Sequence, residues 1–333
     1  MVHLKSGNEA GLGYTYASAS VAPLVRELAK TQLVGTNGFD IPGGRLALLR
    51  AVRNLGRSGL AACAISAIDA ALWDLKAKVL DQPLAALLGR CRDSARIYGS
   101  GGFTTYSDER LTEQLARWAH EDKCAYVKMK IGSDPACDPR RAMVARRAIG
   151  EDCQLFVDAN GAFSVKQALG FADASRQADI RWFEEPVTSD DPAGLRHFRE
   201  RAPDGMAVAA GEYNYTLDDA RRLLEAGAVD VLQADVTRCG GVSGFMEIGI
   251  LCEAHHTDLS GHCAPSLHRH VACAVPRLRH LEWFHDHVRI ERMLFDGAPA
   301  PLDGAIAPDL SRPGHGLEFK AQDARQFMVG ESG

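Results

Sequence analysis

Nowhere in these 333 residues is there a run of 18 apolar side chains, so the chain offers no candidate membrane-spanning helix. Residues 1–13 lack both the basic start and the apolar core of a signal peptide. The nine cysteines form no C-x-x-C pair, and their number is odd. Scattered singles such as Cys63, Cys124, Cys153 and Cys273 read as small buried thiols, which makes a reducing cytoplasm the expected setting. A concentrated basic stripe is missing too. Net charge is −5, and Arg140-Arg141 and Arg146-Arg147 fall on a solvated helical face, so nucleic acid is not an expected partner.

What is present is ample apolar material, 46% of residues, enough for a large core. From about residue 94 two patterns alternate. Short β-branched or aromatic runs occur at 95–99, 126–131, 155–158, 180–183, 207–210, 229–233, 258–261 and 281–284. Amphipathic stretches lie between them, such as Leu111-Leu115-Trp118-Ala119 and Leu217-Ala220-Leu223-Leu224. Ser107-Asp108, Ser164, and Thr216 with Asp219 mark helix starts; Gly150 and Gly227 mark ends. Eight such units predict an α/β fold with a closed (β/α)8-type barrel over 94–285. Residues 1–93 read as an α+β capping domain. In it Ile65, Ile68, Leu72, Leu75 and Val79 form one helical face, and Asp69, Asp74, Lys76 and Lys78 the other. Residues 286–333 carry turn signals and are expected to return to the cap.

Three carboxylates fall at equivalent points of this pattern. Asp158, Glu184 and Glu212 each end a strand-like run, at spacings of 26 and 28 residues. In a β/α barrel those ends face one mouth. Two like charges about 4 Å apart repel by roughly 4 kcal/mol at an effective dielectric near 20. A divalent cation resolves that repulsion, and an all-oxygen site favours Mg²⁺, with Mn²⁺ as the alternative. Read singly, each carboxylate equally suits a helix cap. Glu185 follows Glu184 and is expected to face away, as a neighbour of the metal site rather than a ligand.

Lys128 and Lys130 share one strand face by the period of two. Near a metal and each other, their pKa values are expected to fall toward the range of a general base; solvated lysines on an edge strand are the bland alternative. Asp235 and His262 end the sixth and seventh runs, where a carboxylate–imidazole hydrogen bond would orient the ring. Glu282, among apolar neighbours on the last strand, is expected to be protonated, or else paired with Lys130 or Arg279.

Together these residues resemble the enolase superfamily, specifically its mandelate racemase subgroup alongside the muconate lactonizing enzymes. The resemblance is carried by Val-Lys-Met-Lys-Ile-Gly, Val-Asp-Ala-Asn-Gly, Trp-Phe-Glu-Glu-Pro, Ala-Gly-Glu, Gln-Ala-Asp-Val-Thr-Arg-Cys-Gly-Gly and Gly-His, and by a cap helix at 67–75. It implies that Asp158, Glu184 and Glu212 bind Mg²⁺ and that Lys130 is one acid/base. Asp235 and His262 would form the second, on the opposite face of the substrate. Lys128 and Glu282 would hold the substrate carboxylate, with Asn160 as a polar neighbour. The implied chemistry is removal of the proton α to a carboxylate through an enediolate. Members of the family usually begin with further strands and a mobile loop. Residues 2–8 already resemble the strand and turn on the far side of that loop, so shortened N-terminal strands and a partly missing lid are expected.

Two acid/base groups permit either dehydration of an acid sugar (an aldonate or aldarate) or racemisation of a 2-hydroxy acid. Dehydration is the leading expectation, since the subgroup holds many such dehydratases and the site shows few aromatics for an aryl substrate. The partners expected are a small-molecule carboxylate and further copies of the chain in a homo-oligomer. Two other classes compete: a zinc hydrolase using His268-x-His270 and His285-x-His287, and a barrel that binds without turnover.

Overall fold

The computed structural model describes residues 1–329. The alternation of β-rich and amphipathic runs folds into eight consecutive parallel strands: β3 (Ala95–Gly101), β4 (Tyr126–Lys130), β5 (Gln154–Asp158), β6 (Ile180–Glu184), β7 (Ala207–Ala210), β8 (Val231–Ala234), β9 (Asp258–Gly261) and β10 (Leu278–Phe284). Each pairs with the next, and β10 closes on β3 with Leu281 opposite Ile97. The result is a closed barrel.

Ahead of it come β1 (Val2–Ser6), β2 (Glu9–Gly13), α1 (Val21–Gln32), α2 (Ile41–Ala51), α3 (Leu60–Val79) and α4 (Leu84–Leu88). The barrel strands are followed in turn by α5 (Asp108–Ala116), α6 (Asp138–Ile149), α7 (Val165–Ala174), α8 (Pro192–Arg199), α9 (Leu217–Glu225), α10 (Gly241–Ala254), α11 (Pro265–Ala274) and α12 (His285–Leu294). Helix starts obey the sequence signals. Ser107 accepts from Arg110 N, and Ser164–Gln167 and Thr216–Asp219 form capping boxes.

Helix α3 departs from its expected two-faced reading. It is rich in alanine, a strong helix former with little bulk. That lets β2 approach until a Cβ on Gly11 or Gly13 would lie 2.0 Å from the carbonyl of Ala71 or Ala67. With α10 on another side, even the polar residues Asp69 and Asp74 are fully buried. Asp69 accepts from Ser243 N (2.9 Å) and Ser243 Oγ (2.6 Å). Asp74 accepts from Leu12 N, His315 N and Lys78 Nζ, at 2.8, 2.9 and 2.7 Å. The helix thus bolts cap to barrel through buried polar groups, each satisfied.

The final segment reaches both parts. Short strands β11 (Phe295–Asp296) and β13 (Glu318–Phe319) pair with each other, and β12 (Ala305–Ile306) runs antiparallel to β3. His315 binds Leu12 O at 2.7 Å, and Phe295 stacks on Tyr14 of the cap at 5.0 Å. Among the described residues, no helix is long and apolar enough to cross a membrane.

Inside the barrel, beneath its mouth, Tyr98, Phe156 and Trp182 form an apolar plug with Ala209 and Val231. Phe156 and Trp182 stack at 5.2 Å. Each of the two lies two residues before a site carboxylate, on the same strand face.

Candidate active site and metal centre

Strand register sets the site. Lys130 lies opposite Asp158, and Asp158 opposite Glu184, so three neighbouring strands present these side chains at one level. Glu212 follows β7 by two residues. One carboxylate oxygen from each of Asp158, Glu184 and Glu212 lies within 4.8 Å of the other two, and all three residues are buried. Three converging carboxylates make a hard, all-oxygen donor set, which fits a small divalent cation such as Mg²⁺. Trp182 Nε1 donates to Glu184 Oε2 at 3.1 Å, so the aromatic plug orients one of the three from below.

The lysines answer this charge. Lys128 Nζ lies 2.6 Å from Glu184, 2.8 Å from Glu282 and 3.5 Å from Asp158, while Lys130 pairs with Asp158. The expected fall in lysine pKa presupposes a bound cation, and the carboxylates by themselves push the other way. Burial opposes the charge of both, but the carboxylates outweigh it: chiefly Glu184 and Glu282 for Lys128, and Asp158 for Lys130. Both ammonium groups are held above the usual lysine range.

On the far side of the mouth, His262 Nδ1 donates to Asp235 Oδ2 at 2.9 Å. Its Nε2 points into the site, 2.8 Å from Glu212 and 3.6 Å from Glu282. Asp235 is fixed in turn by Thr237 N and Oγ1, both at 2.7 Å. For Glu282 the ion-paired reading fits better than the protonated one, with Lys128 as its partner at 2.8 Å rather than Lys130 or Arg279. Burial favours its neutral form, but Lys128 and then His262 outweigh burial and hold it well below the usual carboxylate range. It is an ionised acceptor, taking hydrogen bonds from Ser100 Oγ (2.6 Å) and Cys263 N (2.9 Å).

Six acidic side chains thus share the mouth with Lys128, Lys130, His262 and Arg238, and the charge divides unevenly. Burial and then Asp158 push Glu184 up. Glu185 is pushed up by burial and then by Glu212. It sits just beyond β6 in left-handed backbone (φ +39°), so strand alternation does not govern it, and its buried Oε1 has no hydrogen-bond partner. Asn160 lies exposed at the rim, its backbone N–H donating to Asp158 Oδ1 at 2.8 Å.

Residues not foreseen from sequence include Ser100, Trp182, Thr237 and Cys263, whose thiol lies 3.4 Å from both His262 Nε2 and Glu282 Oε2. Arg238 was missed as well; its Nε approaches Asp235 at 3.6 Å and its Nη1 donates to the Glu212 carbonyl at 3.1 Å. Trp182 could have been found from its spacing to Glu184. Among the described residues, the histidine pairs 268/270 and 285/287 belong to no cluster of metal ligands. His270 instead binds the carbonyl of His315 at 2.9 Å, and His287 Nδ1 accepts from Ala264 N at 3.2 Å.

A profile for the mandelate racemase/muconate lactonizing enzyme N-terminal domain matches residues 3–89, and one for an enolase C-terminal domain-like barrel matches 110–324. The chain belongs to the mandelate racemase/muconate lactonizing enzyme family of the enolase superfamily. Within it, the chain is 34% identical over 296 residues to the L-talarate/galactarate dehydratase of Salmonella typhimurium, covering 86% of this chain and 73% of that one. A mandelate racemase/muconate lactonizing enzyme-like protein from Rubrobacter xylanophilus has a crystal structure that superposes with a TM-score of 0.92. It is 48% identical, with 97% of this chain and 90% of that one covered. The magnesium-bound racemase structure from Streptomyces coelicolor A3(2) superposes with a TM-score of 0.91 at 29% identity, covering 98% and 90%.

Proposed function

We propose that this enzyme removes the proton α to the carboxylate of an acid sugar, an aldonate or aldarate, and expels the β-hydroxyl to leave a 2-keto-3-deoxy acid. The observation that carries the reading is the placing of Lys130 and the Asp235–His262 pair at opposite ends of the arc of strands bearing Asp158, Glu184 and Glu212. A carbon held between those ends meets one acid/base on each face.

Asp158, Glu184 and Glu212 would hold Mg²⁺, the metal bound in the Streptomyces relative. When bound, the cation supplies positive charge against the substrate oxygens and takes up carboxylate charge that otherwise keeps Lys130 protonated. Lys128 meets the substrate carboxylate; Glu282, 2.8 Å from Lys128, joins it by taking up a proton as that second carboxylate arrives, and Asn160 lines the rim. Lys130 accepts the α-proton and an enediolate forms. His262, oriented by Asp235, gives its proton to the departing β-hydroxyl, so water leaves. The resulting enol becomes the keto acid by taking a proton at the β-carbon. A cytoplasmic setting is supported by nine free cysteines, seven of them buried.

The dehydratase reading draws on the Salmonella relative, and racemisation of a 2-hydroxy acid on the Streptomyces one. Assaying the Mg²⁺-loaded protein against a panel of aldonic and aldaric acids separates them. Keto-acid formation is expected. Inversion at the α-carbon in D₂O without dehydration would replace this reading by the racemase.

A further inference from the structure

Directly after His262, two non-glycine residues in succession, Cys263 and Ala264, take left-handed backbone, with φ of +53° and +39°. Such conformations persist only where the surroundings over-determine them. At the centre of those surroundings is His268, fully buried in the first turn of α11. Its ring touches the residues that bracket the acid/base pair. Nδ1 lies 2.8 Å from the carbonyl oxygen of Cys263, one residue after His262. Nε2 lies 3.0 Å from the backbone nitrogen of Val236, one residue after Asp235. The Cδ2 edge covers Gly261, the residue before His262, where a Cβ would come within 3.1 Å of it. Phe245 packs against the ring at 5.0 Å.

These partners dictate the tautomer. A carbonyl only accepts and an amide N–H only donates, so the proton sits on Nδ1 and the ring is neutral.

We propose that His268 is a positioning residue: a neutral, Nδ1-protonated imidazole that ties the loop after β8 to the loop after β9, and so sets the Asp235–His262 hydrogen bond and the aim of His262 Nε2. It moves no proton. The inference rests on His262 acting as acid/base in the function proposed above. It predicts an asymmetry that a purely structural histidine would not produce, because Lys130 sits on β4, on elements His268 does not touch.

The test uses the full-length, Mg²⁺-loaded protein and a pair of sugar acids epimeric at the α-carbon. Deuterium exchange in D₂O then reads the Lys130 face with one epimer and the His262 face with the other. His268→Leu is expected to slow His262-face exchange about 100-fold, through kcat rather than KM, while Lys130-face exchange stays near wild type. His268→Asn, whose amide keeps an N–H for the Cys263 carbonyl, is expected to recover part of the loss. Equal losses on both faces, or no loss on either, would overturn the proposal.

Imidazole ¹⁵N spectra of the wild-type protein decide the bridge without any variant. His268 is expected as the neutral Nδ1–H tautomer at and above neutral pH, and a protonated ring or an Nε2–H tautomer there would overturn it. If the wild type exchanges neither epimer, the functional reading falls, and these spectra alone decide the bridge.

Discussion

Two of the places where this molecule buries charge, the barrel mouth and α3, are built differently. At the barrel mouth, ionised side chains are answered by other ionised side chains: Lys128 by Glu184 and Glu282, Lys130 by Asp158, His262 by Glu212 and Asp235. Along α3 the carboxylates of Asp69 and Asp74 are answered mainly by backbone N–H groups and a serine hydroxyl, joined by a single ammonium, that of Lys78. Pairs of side-chain ions exchange partners readily when a cation or a substrate carboxylate arrives. A carboxylate held by backbone cannot be regrouped without moving the fold. The mouth is therefore arranged for chemistry and the bolt for cohesion, although both bury acid to similar depth.

Breaking the mouth should cost activity and spare stability. Asp158→Asn removes a third of the proposed metal cage, and turnover should fall by roughly 10³-fold or more, equivalent to about 4 kcal/mol. In the metal-free protein its Tm should change little, because relief of repulsion among the carboxylates offsets the loss of the ionised partner of Lys130. Metal titration by calorimetry beside a thermal melt checks both halves. Next in size, Lys130→Met should lower α-proton exchange by about 10²–10⁴-fold on its own face only. His262→Asn should do the same on the other face. Loss on both faces from either change would mean that the two groups do not act on opposite sides.

Breaking the bolt should do the reverse. Asp74→Ala strands two backbone N–H groups and the Lys78 ammonium, at a cost of about 3–5 kcal/mol. In a protein of this size that lowers Tm by roughly 5–10 °C. Rates per folded molecule should be unchanged. Subtler still is Asp69, which burial pushes up to about 6 against the ordering effect of Ser243. A folded-state pKa above the unfolded one means that the native protein binds more protons between about pH 4 and 6. Stability from this group is therefore full below about pH 4 and falls as pH rises to about 6, by an amount on the order of 2–3 kcal/mol. Asp69→Asn should flatten that slope, so the variant gains on wild type as pH rises through the window. Denaturant midpoints at pH 4 and pH 8 check it, and a parallel shift at both values would refute the assignment.

The contrast also accounts for what could be read in advance. The barrel, its eight strands and the site carboxylates were legible because strand ends recur along the chain and a period of two fixes which residues share a face. Lys130, Asp158 and Glu184 needed nothing more. The bolt was not legible. Asp69 and Asp74 share helical spacing with Lys76 and Lys78 and read as a solvent face; their partners Ser243 and His315 lie some 170 and 240 residues away. The ion partner of Glu282 was not legible for a related reason, since apolar sequence neighbours say nothing of Lys128 across the barrel. His268, His270 and His287 looked like metal pairs because H-x-H spacing records proximity along the chain and not direction. In the structure each makes its own, separate hydrogen bonds.

The central claim is that the mouth takes a proton from the carbon α to a carboxylate. The direct measurement is ¹H NMR of aldonic and aldaric acids in D₂O with the Mg²⁺-loaded protein and, in parallel, with its EDTA-treated form. The account predicts loss of the α-proton signal and the appearance of a 2-keto-3-deoxy acid, with Mg²⁺ only, for at least one acid. A Mg²⁺-binding, folded protein that leaves every α-proton in place would contradict it.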